Sequence, residues 1–215
     1  MKKVAVVLTG CGFKDGAEVT ESVSTLIVLS DLGVDYQVFA PNMNVPSVKH
    51  NTEGDSGERN IMEEAARISR GHVLDIEALN PDQFDGIVFP GGFGAALHLC
   101  DFGKKGAQCD VLPKVDSVIH QFHEQSKPIA AFCIAPALVA RVLGENGVEV
   151  TIGNDQSTAA EINKTGAQHI ECKVDDYVTD RMNKVITSPA YMYEAKPNEV
   201  FKGINRALKE FVEMA

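Results

Sequence analysis

The stretch Pro128-Ile129-Ala130-Ala131-Phe132-Cys133-Ile134-Ala135-Pro136-Ala137 decides how this chain reads. Residues 128–132 carry no charge and suit a strand buried on both faces of a parallel sheet. They run directly into a helix-like segment, with residues 138–143 at its heart, and Pro136 falls early in it, where a missing N–H costs least. Cys133 therefore stands at a strand-to-helix junction, where unpaired backbone N–H groups and the helix dipole favour a thiolate. One activated cysteine, rather than a metal or a nucleotide, organises the expected chemistry.

Outward from that junction the pattern alternates. Residues 2–9 read as a first strand, apolar throughout Val4-Ala5-Val6-Val7-Leu8, and Gly10-Cys11-Gly12-Phe13-Lys14-Asp15-Gly16 follows as a turn-rich loop. A helix over 18–32 is predicted from the spacing of Val19, Val23, Leu26, Ile27 and Leu29, with Gly33 as its stop. Residues 36–40 form a second strand ended by Pro41, and 42–59 read as a long exposed loop or a small irregular excursion. Asn60 caps a helix reaching residue 70. Residues 73–76 and 86–90 are strands, the second delivering Gly91-Gly92-Phe93-Gly94 to its carboxyl end.

Further along come a helix over 111–125, the Cys133 strand, a strand at 149–152 and a short helix over 158–164. A hairpin of 177–179 with 185–187 and a helix over 198–214 close the chain. Strands alternating with helices imply an α/β fold in one domain spanning 1–215, with no repeat or linker dividing it.

Bulk properties narrow the function. Thirty acidic against 20 basic side chains give a formal charge of -10, which argues against a general nucleic-acid surface. The apolar run after Met1-Lys2-Lys3 is too short for a membrane span or a complete signal peptide, so the cytoplasm is the default location. Cys11, Cys100, Cys109, Cys133 and Cys172 form an odd, scattered set without a CxxC pair, which suits free thiols better than disulfides or structural zinc.

A nucleophile needs a readily deprotonated atom, a rigid approach direction and donors facing the oxyanion it creates. Cys133 supplies the first, and the N–H groups of Gly92 and Ile134 are the expected oxyanion donors. A Gly-Gly pair equally suits a tight turn at the sheet rim. Glu18, beginning the helix after the first strand, can reach the same rim and hydrogen-bond the sulfur, or simply cap its helix. His50, in the long loop, is a proton-shuttle or substrate-contact candidate, or an ordinary exposed histidine.

Other residues are weaker candidates. His169 and Glu171 alternate on a strand, and nothing places them beside Cys133. His120 and His123 share a helix face without the further ligands a zinc site needs. Cys11 follows the first strand and can shape a pocket at the same rim. Neither glycine loop has the GxGxxG or GK[ST] pattern of nucleotide binding, so no cofactor and no metal are expected.

Taken together, Val7-Leu8-Thr9-Gly10-Cys11-Gly12, Asp15-Gly16-Ala17-Glu18, Arg59-Asn60, Phe89-Pro90-Gly91-Gly92-Phe93-Gly94-Ala95-Ala96, Cys133-Ile134-Ala135-Pro136-Ala137 and Ser188-Pro189-Ala190-Tyr191 carry a family resemblance. The chain resembles the ElbB-type isoprenoid-biosynthesis or glyoxalase-like proteins of the class I glutamine amidotransferase-like ThiJ/PfpI superfamily, over nearly its whole length. The resemblance implies a flavodoxin-like three-layer α/β sandwich with a mostly parallel central sheet, assembled as a homodimer. It also implies Cys133 as nucleophile, Gly92 and Ile134 at the oxyanion positions and Glu18 as the acidic partner of the cysteine. Asn154 stands near where many superfamily members place a histidine, a departure that argues against a complete Cys-His triad.

The reaction class implied is that of a cofactor-independent glyoxalase, a lyase converting glyoxal to glycolate, and methylglyoxal to lactate, through a hemithioacetal on Cys133. The partner would be a small aldehyde or dicarbonyl, with no nucleic acid or membrane, and room is left for an unidentified regulatory partner. The alternatives are a non-catalytic redox or metabolite-binding regulator, and a glutamine amidotransferase.

Overall fold

The structure, a computed structural model describing residues 1–215, opens with β1 (Lys3–Val7), α1 (Val19–Asp31) and β2 (Asp35–Ala40). A hairpin of β3 (Asn44–Val48) and β4 (Asp55–Asn60) leads into α2 (Ile61–Ile68), β5 (Val73–Asp75) and β6 (Gly86–Phe89). After a π-helical turn at Ala95–Leu99 come α3 (Phe102–Lys105), α4 (Pro113–Glu124), β7 (Ile129–Phe132) and α5 (Ala135–Leu143). The chain finishes with β8 (Glu149–Val150), α6 (Gln156–Lys164), β9 (Gln168–His169), β10 (Val178–Asp180), β11 (Val185–Ser188) and α7 (Pro197–Met214).

The central sheet has seven strands in the order β10-β11-β7-β6-β1-β2-β5. All its pairings are parallel except the edge pair of β10 with β11. From β1 the chain steps through β2 to β5, then returns past β1 to lay down β6, β7 and β11 on the other side. Right-handed crossovers in opposite directions put helices on opposite faces. Accordingly, α1 lies against α7 and α2, and α4 against α5. The direction reverses between β1 and β6, and such a reversal opens a crevice at the carboxyl ends of the strands.

The continuous apolar runs predicted for the central strands are the core. Val4, Ala5, Val6, Ile87, Val88, Ala130, Ala131 and Phe132 have no exposed surface. Fully burying a side chain such as Phe132 contributes about 1.5–3 kcal/mol, so the strand ends that carry the site are held by the best-packed part of the molecule.

Two expectations need correction. Residues 42–59 are an ordered antiparallel hairpin with a register slip between Pro46 and Val48. Its second strand, Asp-Ser-Gly-Glu-Arg-Asn, buries no residue and so lacks the alternation that marks a strand. The second concerns α1, whose Val19, Val23 and Ile27 are exposed, while Glu21, Ser22, Ser24, Thr25, Val28 and Leu29 are buried. The helix is where the periodicity put it, but the inward face is the more polar one.

Candidate active site

Three strand ends and the head of α1 meet at the crevice. β7 ends at Phe132, and Cys133 then takes φ of 58°, a left-handed conformation rarely adopted by a residue with a side chain. This sharp strand-to-helix turn aims the side chain away from the sheet, the geometry of a nucleophile elbow. Strain of about 1–3 kcal/mol is usual for such a residue and needs surroundings that over-determine it. The Cys133 N–H donates to the Ser188 carbonyl at the end of β11 at 3.0 Å. Ile134 precedes the first turn of α5, which leaves its own N–H free to face the sulfur.

β6 delivers the glycines. A Cβ on Gly91 would overlap the Cβ of Cys133, and Gly92, with φ of 96°, passes so close to the Gly16 carbonyl and the Glu18 amide that no side chain fits. The Gly91 carbonyl accepts from Glu18 N–H at 2.9 Å, and Phe93 N–H donates to the Phe13 carbonyl at 2.7 Å, fastening this loop to the one after β1. The N–H groups of Gly92 and Ile134 both point at the Cys133 sulfur. The N–H groups of two strand-end loops thus converge on one sulfur.

The acid does not match the expectation. Glu18 caps α1, its Oε2 accepting from Glu21 N–H at 2.7 Å. The carboxyl hydrogen-bonded to the Cys133 sulfur belongs to Glu21, one helical turn further along. Glu21 is fully buried. Its Oε2 accepts from Gly91 N–H at 2.9 Å, and its Oε1 accepts from Tyr191 N–H at 3.3 Å. Tyr191 comes into range because Ala190, just past β11, also adopts a left-handed φ, 44°.

Sequence reasoning missed Glu21 because the exposed valines of α1 looked like its inner face. The signal available was the i, i+4, i+7, i+8 series Glu21, Thr25, Val28 and Leu29, which heads a buried stripe with a carboxyl.

Burial pushes Glu21 up from its ordinary 4.5 to about 8, and the neighbouring Glu18 charge acts in the same direction. Burial and the Glu21 charge drive the Cys133 thiol well above its ordinary 9.0, while the Gly92 and Ile134 N–H groups pull against them. This corrects the expectation that the helix terminus alone yields a thiolate: desolvation outweighs it. Glu18 is also raised, chiefly by burial. Glu21 therefore gives up its proton near pH 8, before the Cys133 thiol gives up its own.

Cys133, only 8% exposed, borders a cavity of about 340 Å³. Phe13, Glu18, Gly92, Phe93, Ile134, Tyr191 and Met192 complete its wall. No histidine is among them. His50 is a further correction: it lies behind Phe13, its ring edge-on at 5.6 Å between centroids, with Nε2 accepting from Lys14 N–H at 3.3 Å. Cys11 faces a separate cleft with Ser47, Arg59 and Glu64. His169 accepts from Ile152 N–H at 3.3 Å, and His123 bonds Asn183 at 3.0 Å, both outside the cavity. No group of three or more His, Cys, Asp or Glu side chains is arranged to hold a metal ion, and no helix is long and apolar enough to cross a membrane.

Comparison with known proteins matches this architecture. The human glutamine amidotransferase-like class 1 domain-containing protein 3, mitochondrial, is 39% identical over 224 residues, covering 99% of this chain and 83% of the relative. The zebrafish ES1 protein, mitochondrial, is 32% identical over 232 residues, covering 98% of this chain and 85% of the relative. Among solved structures, an isoprenoid biosynthesis protein with an amidotransferase-like domain from Ehrlichia chaffeensis superposes with a TM-score of 0.93 at 35% identity, covering 100% of this chain and 99% of that one. Drosophila melanogaster DJ-1beta shares the fold at a TM-score of 0.56 and 19% identity, covering 100% of this chain and 95% of that one. With its elbow cysteine at the carboxyl edge of a flavodoxin-like sheet, and with a match to the family model over residues 2–195, the chain belongs to the DJ-1/PfpI family.

Proposed function

We propose that this protein is a cofactor-independent glyoxalase acting on small aldehydes and dicarbonyls, converting glyoxal to glycolate and methylglyoxal to lactate. The observation that carries the reading is the convergence on one sulfur of two backbone N–H donors and a carboxyl whose proton is held to about pH 8. Membership of a family that includes DJ-1-type glyoxalase-like proteins supports it.

In this reading the Cys133 sulfur adds to the aldehyde carbon, and the carbonyl oxygen takes up a proton to give a hemithioacetal. Gly92 and Ile134 N–H groups stabilise the oxyanion as it forms. Glu18, the only carboxyl on the cavity wall, removes the carbon-bound proton and returns it to the adjacent carbon through an ene-diol. The product is a 2-hydroxy thioester, which water hydrolyses to the hydroxy acid and the free thiol. Atoms balance as dicarbonyl plus water giving hydroxy acid, with no external oxidant or reductant. Glu21 acts through the sulfur as a positioning residue.

A glutamine amidotransferase is disfavoured because the cavity offers neither a cation for the amino-acid carboxylate nor a histidine beside the cysteine. The same proposal takes the chain as a homodimer located in the cytoplasm. The human and zebrafish relatives are mitochondrial by name, and that compartment is the alternative.

Purified, reduced protein is expected to form glycolate from glyoxal, followed by NMR. Cys133→Ala is expected to abolish the product, and Glu18→Gln to lower kcat by ~100-fold or more, as for loss of a general base. Absence of product from intact protein would sink the activity, and stoichiometric loss of the thiol without turnover would point instead to a redox or metabolite-binding regulator.

A further inference from the structure

Two further thiols face each other away from the crevice. Cys100 ends the π-helical turn, and Cys109 follows a 3-10 turn at Gly106–Gln108. The chain between them doubles back as a short antiparallel ladder. Leu112 N–H donates to the Leu99 carbonyl at 2.9 Å, Asp101 N–H donates to the Asp110 carbonyl at 3.1 Å, and Cys100 pairs with Val111. Lys105 closes the loop on its outer side by bridging Asp101 at 2.7 Å and Asp110 at 2.5 Å. In this register Cys109 is the diagonal neighbour of Cys100 on one face of the ladder. The Cys100 Sγ–H has two acceptors in reach, the Ala95 carbonyl at 3.4 Å and the Cys109 sulfur. Neither cysteine lines the Cys133 cavity.

The surroundings set the two sulfurs apart. The Cys109 thiol is held below its ordinary 9.0 because the Cys100 side chain donates to it and the Arg141 guanidinium lies near, both working against burial. Arg141 is anchored there, its Nε donating to the Cys109 carbonyl at 2.8 Å. The other four cysteines, Cys11, Cys100, Cys133 and Cys172, are all pushed up. An ionisable thiol beside a second, protonated one is the arrangement that thiol–disulfide chemistry needs.

Bridging asks for little motion. Disulfides span about 4.4–6.8 Å between Cα atoms, and diagonal neighbours in a regular ladder sit about 7–8 Å apart. Gly103 and Gly106, the latter at φ of 56°, give the joining segment the freedom to draw the sulfurs together. Access selects the oxidant. Cys109 has no exposed surface and Cys100 only 4%, which shuts out a bulky disulfide. Hydrogen peroxide, about the size of two waters at ~30 Å³ each, needs only a brief local opening.

We infer that Cys100 and Cys109 form a redox-active dithiol, a modification site separate from Cys133, which a hydroperoxide as small as hydrogen peroxide converts to a disulfide. The Cys109 thiolate attacks one peroxide oxygen. The S–O bond forms as the O–O bond breaks, and the departing hydroxide takes up the proton that the thiol released. The Cys100 sulfur then attacks the sulfenic sulfur of Cys109, and the expelled hydroxide leaves with the Cys100 proton as a second water. Two thiols and one peroxide give one disulfide and two waters, the sulfurs losing two electrons and the peroxide oxygens gaining them. A dithiol reductant reverses the bridge by exchange.

The test treats reduced wild-type protein with hydrogen peroxide, blocks remaining thiols with iodoacetamide and maps tryptic peptides by mass without reduction. Cleavage after Lys104 and Lys105 leaves Cys100 in residues 71–104 and Cys109 in residues 106–114. Those two peptides should appear joined and should separate on adding dithiothreitol. The bridge should also form in Cys133→Ala, which removes any relay through the crevice sulfur. Cys100→Ser should stop at a sulfenic acid on Cys109 that dimedone traps, and Cys109→Ser should leave Cys100 open to alkylation. Arg141→Gln should slow bridging by about threefold as the thiolate fraction falls. Glutathione disulfide at the same concentration should leave both peptides unmodified. Peptides that stay separate in wild type, a bridge to Cys11, Cys133 or Cys172 instead, or a glutathione adduct on either cysteine overturns the inference.

Discussion

Replacing Glu21 by glutamine should separate stability from activity, and the size of the effect follows from the buried carboxyl. In the unfolded chain Glu21 releases its proton near 4.5, whereas in the folded protein it keeps it to about 8. Between those values the folded state binds more protons than the unfolded one, so rising pH favours unfolding. At about 1.36 kcal/mol per tenfold change in acidity, the full penalty is about 5 kcal/mol, of which about 3.5 kcal/mol develops between pH 5 and pH 8. Glutamine has no proton to hold, so Glu21→Gln removes this pH dependence.

The amide cannot accept from both Gly91 and Tyr191 N–H groups as the carboxyl does, which costs about 1–3 kcal/mol at every pH. That loss cancels when two pH values are compared. Urea unfolding of both proteins at pH 5 and pH 8 is therefore the assay, with the slope against urea checked for constancy. Wild type should lose about 3.5 kcal/mol more than the variant over this interval. Equal pH dependence in the two proteins would refute the claim that Glu21 is a proton-holding acid.

Kinetics should report the same pair. Because Glu21 gives up its proton near pH 8, wild-type kcat/KM should climb through pH 7, reach half its maximum at about pH 8 and level off only about one unit higher, and in Glu21→Gln the inflection should move upward, since only the buried thiol then titrates; an unchanged profile would count against a role for Glu21 at the sulfur. Gly91→Ala, whose new methyl would overlap Cys133, should lower stability by about 1–3 kcal/mol as overpacking does, and should lower kcat as well; a variant with wild-type stability and rate would contradict the packing described. His50→Ala should leave the pH profile unchanged and raise KM by about threefold or less through a looser Phe13, on the scale of a weakened aromatic contact; a collapse of kcat would restore His50 as a proton shuttle.

The central strands, the helices after β1, β4 and β7, and the cysteine elbow were legible because each is written locally. Continuous apolar runs at β1, β6 and β7 can only be strands covered on both faces, and Gly91-Gly92 and Cys133 follow them directly. The β3 and β4 hairpin was not legible, because its second strand is held by backbone pairing and presents no buried side chain.

The sequence by itself determined an α/β fold around a mostly parallel sheet and a cysteine at the end of a central strand, since hydrophobic period and chain direction fix strand ends without reference to distant residues. Only the tertiary structure decided which acid serves the sulfur and how the cavity is lined. The choice between Glu18 and Glu21 turns on which face of α1 meets the sheet, and the exclusion of His50 turns on where Phe13 lies. The thiol's proton affinity is likewise decided in three dimensions, because desolvation and a carboxyl 112 positions away in sequence outweigh the local helix terminus.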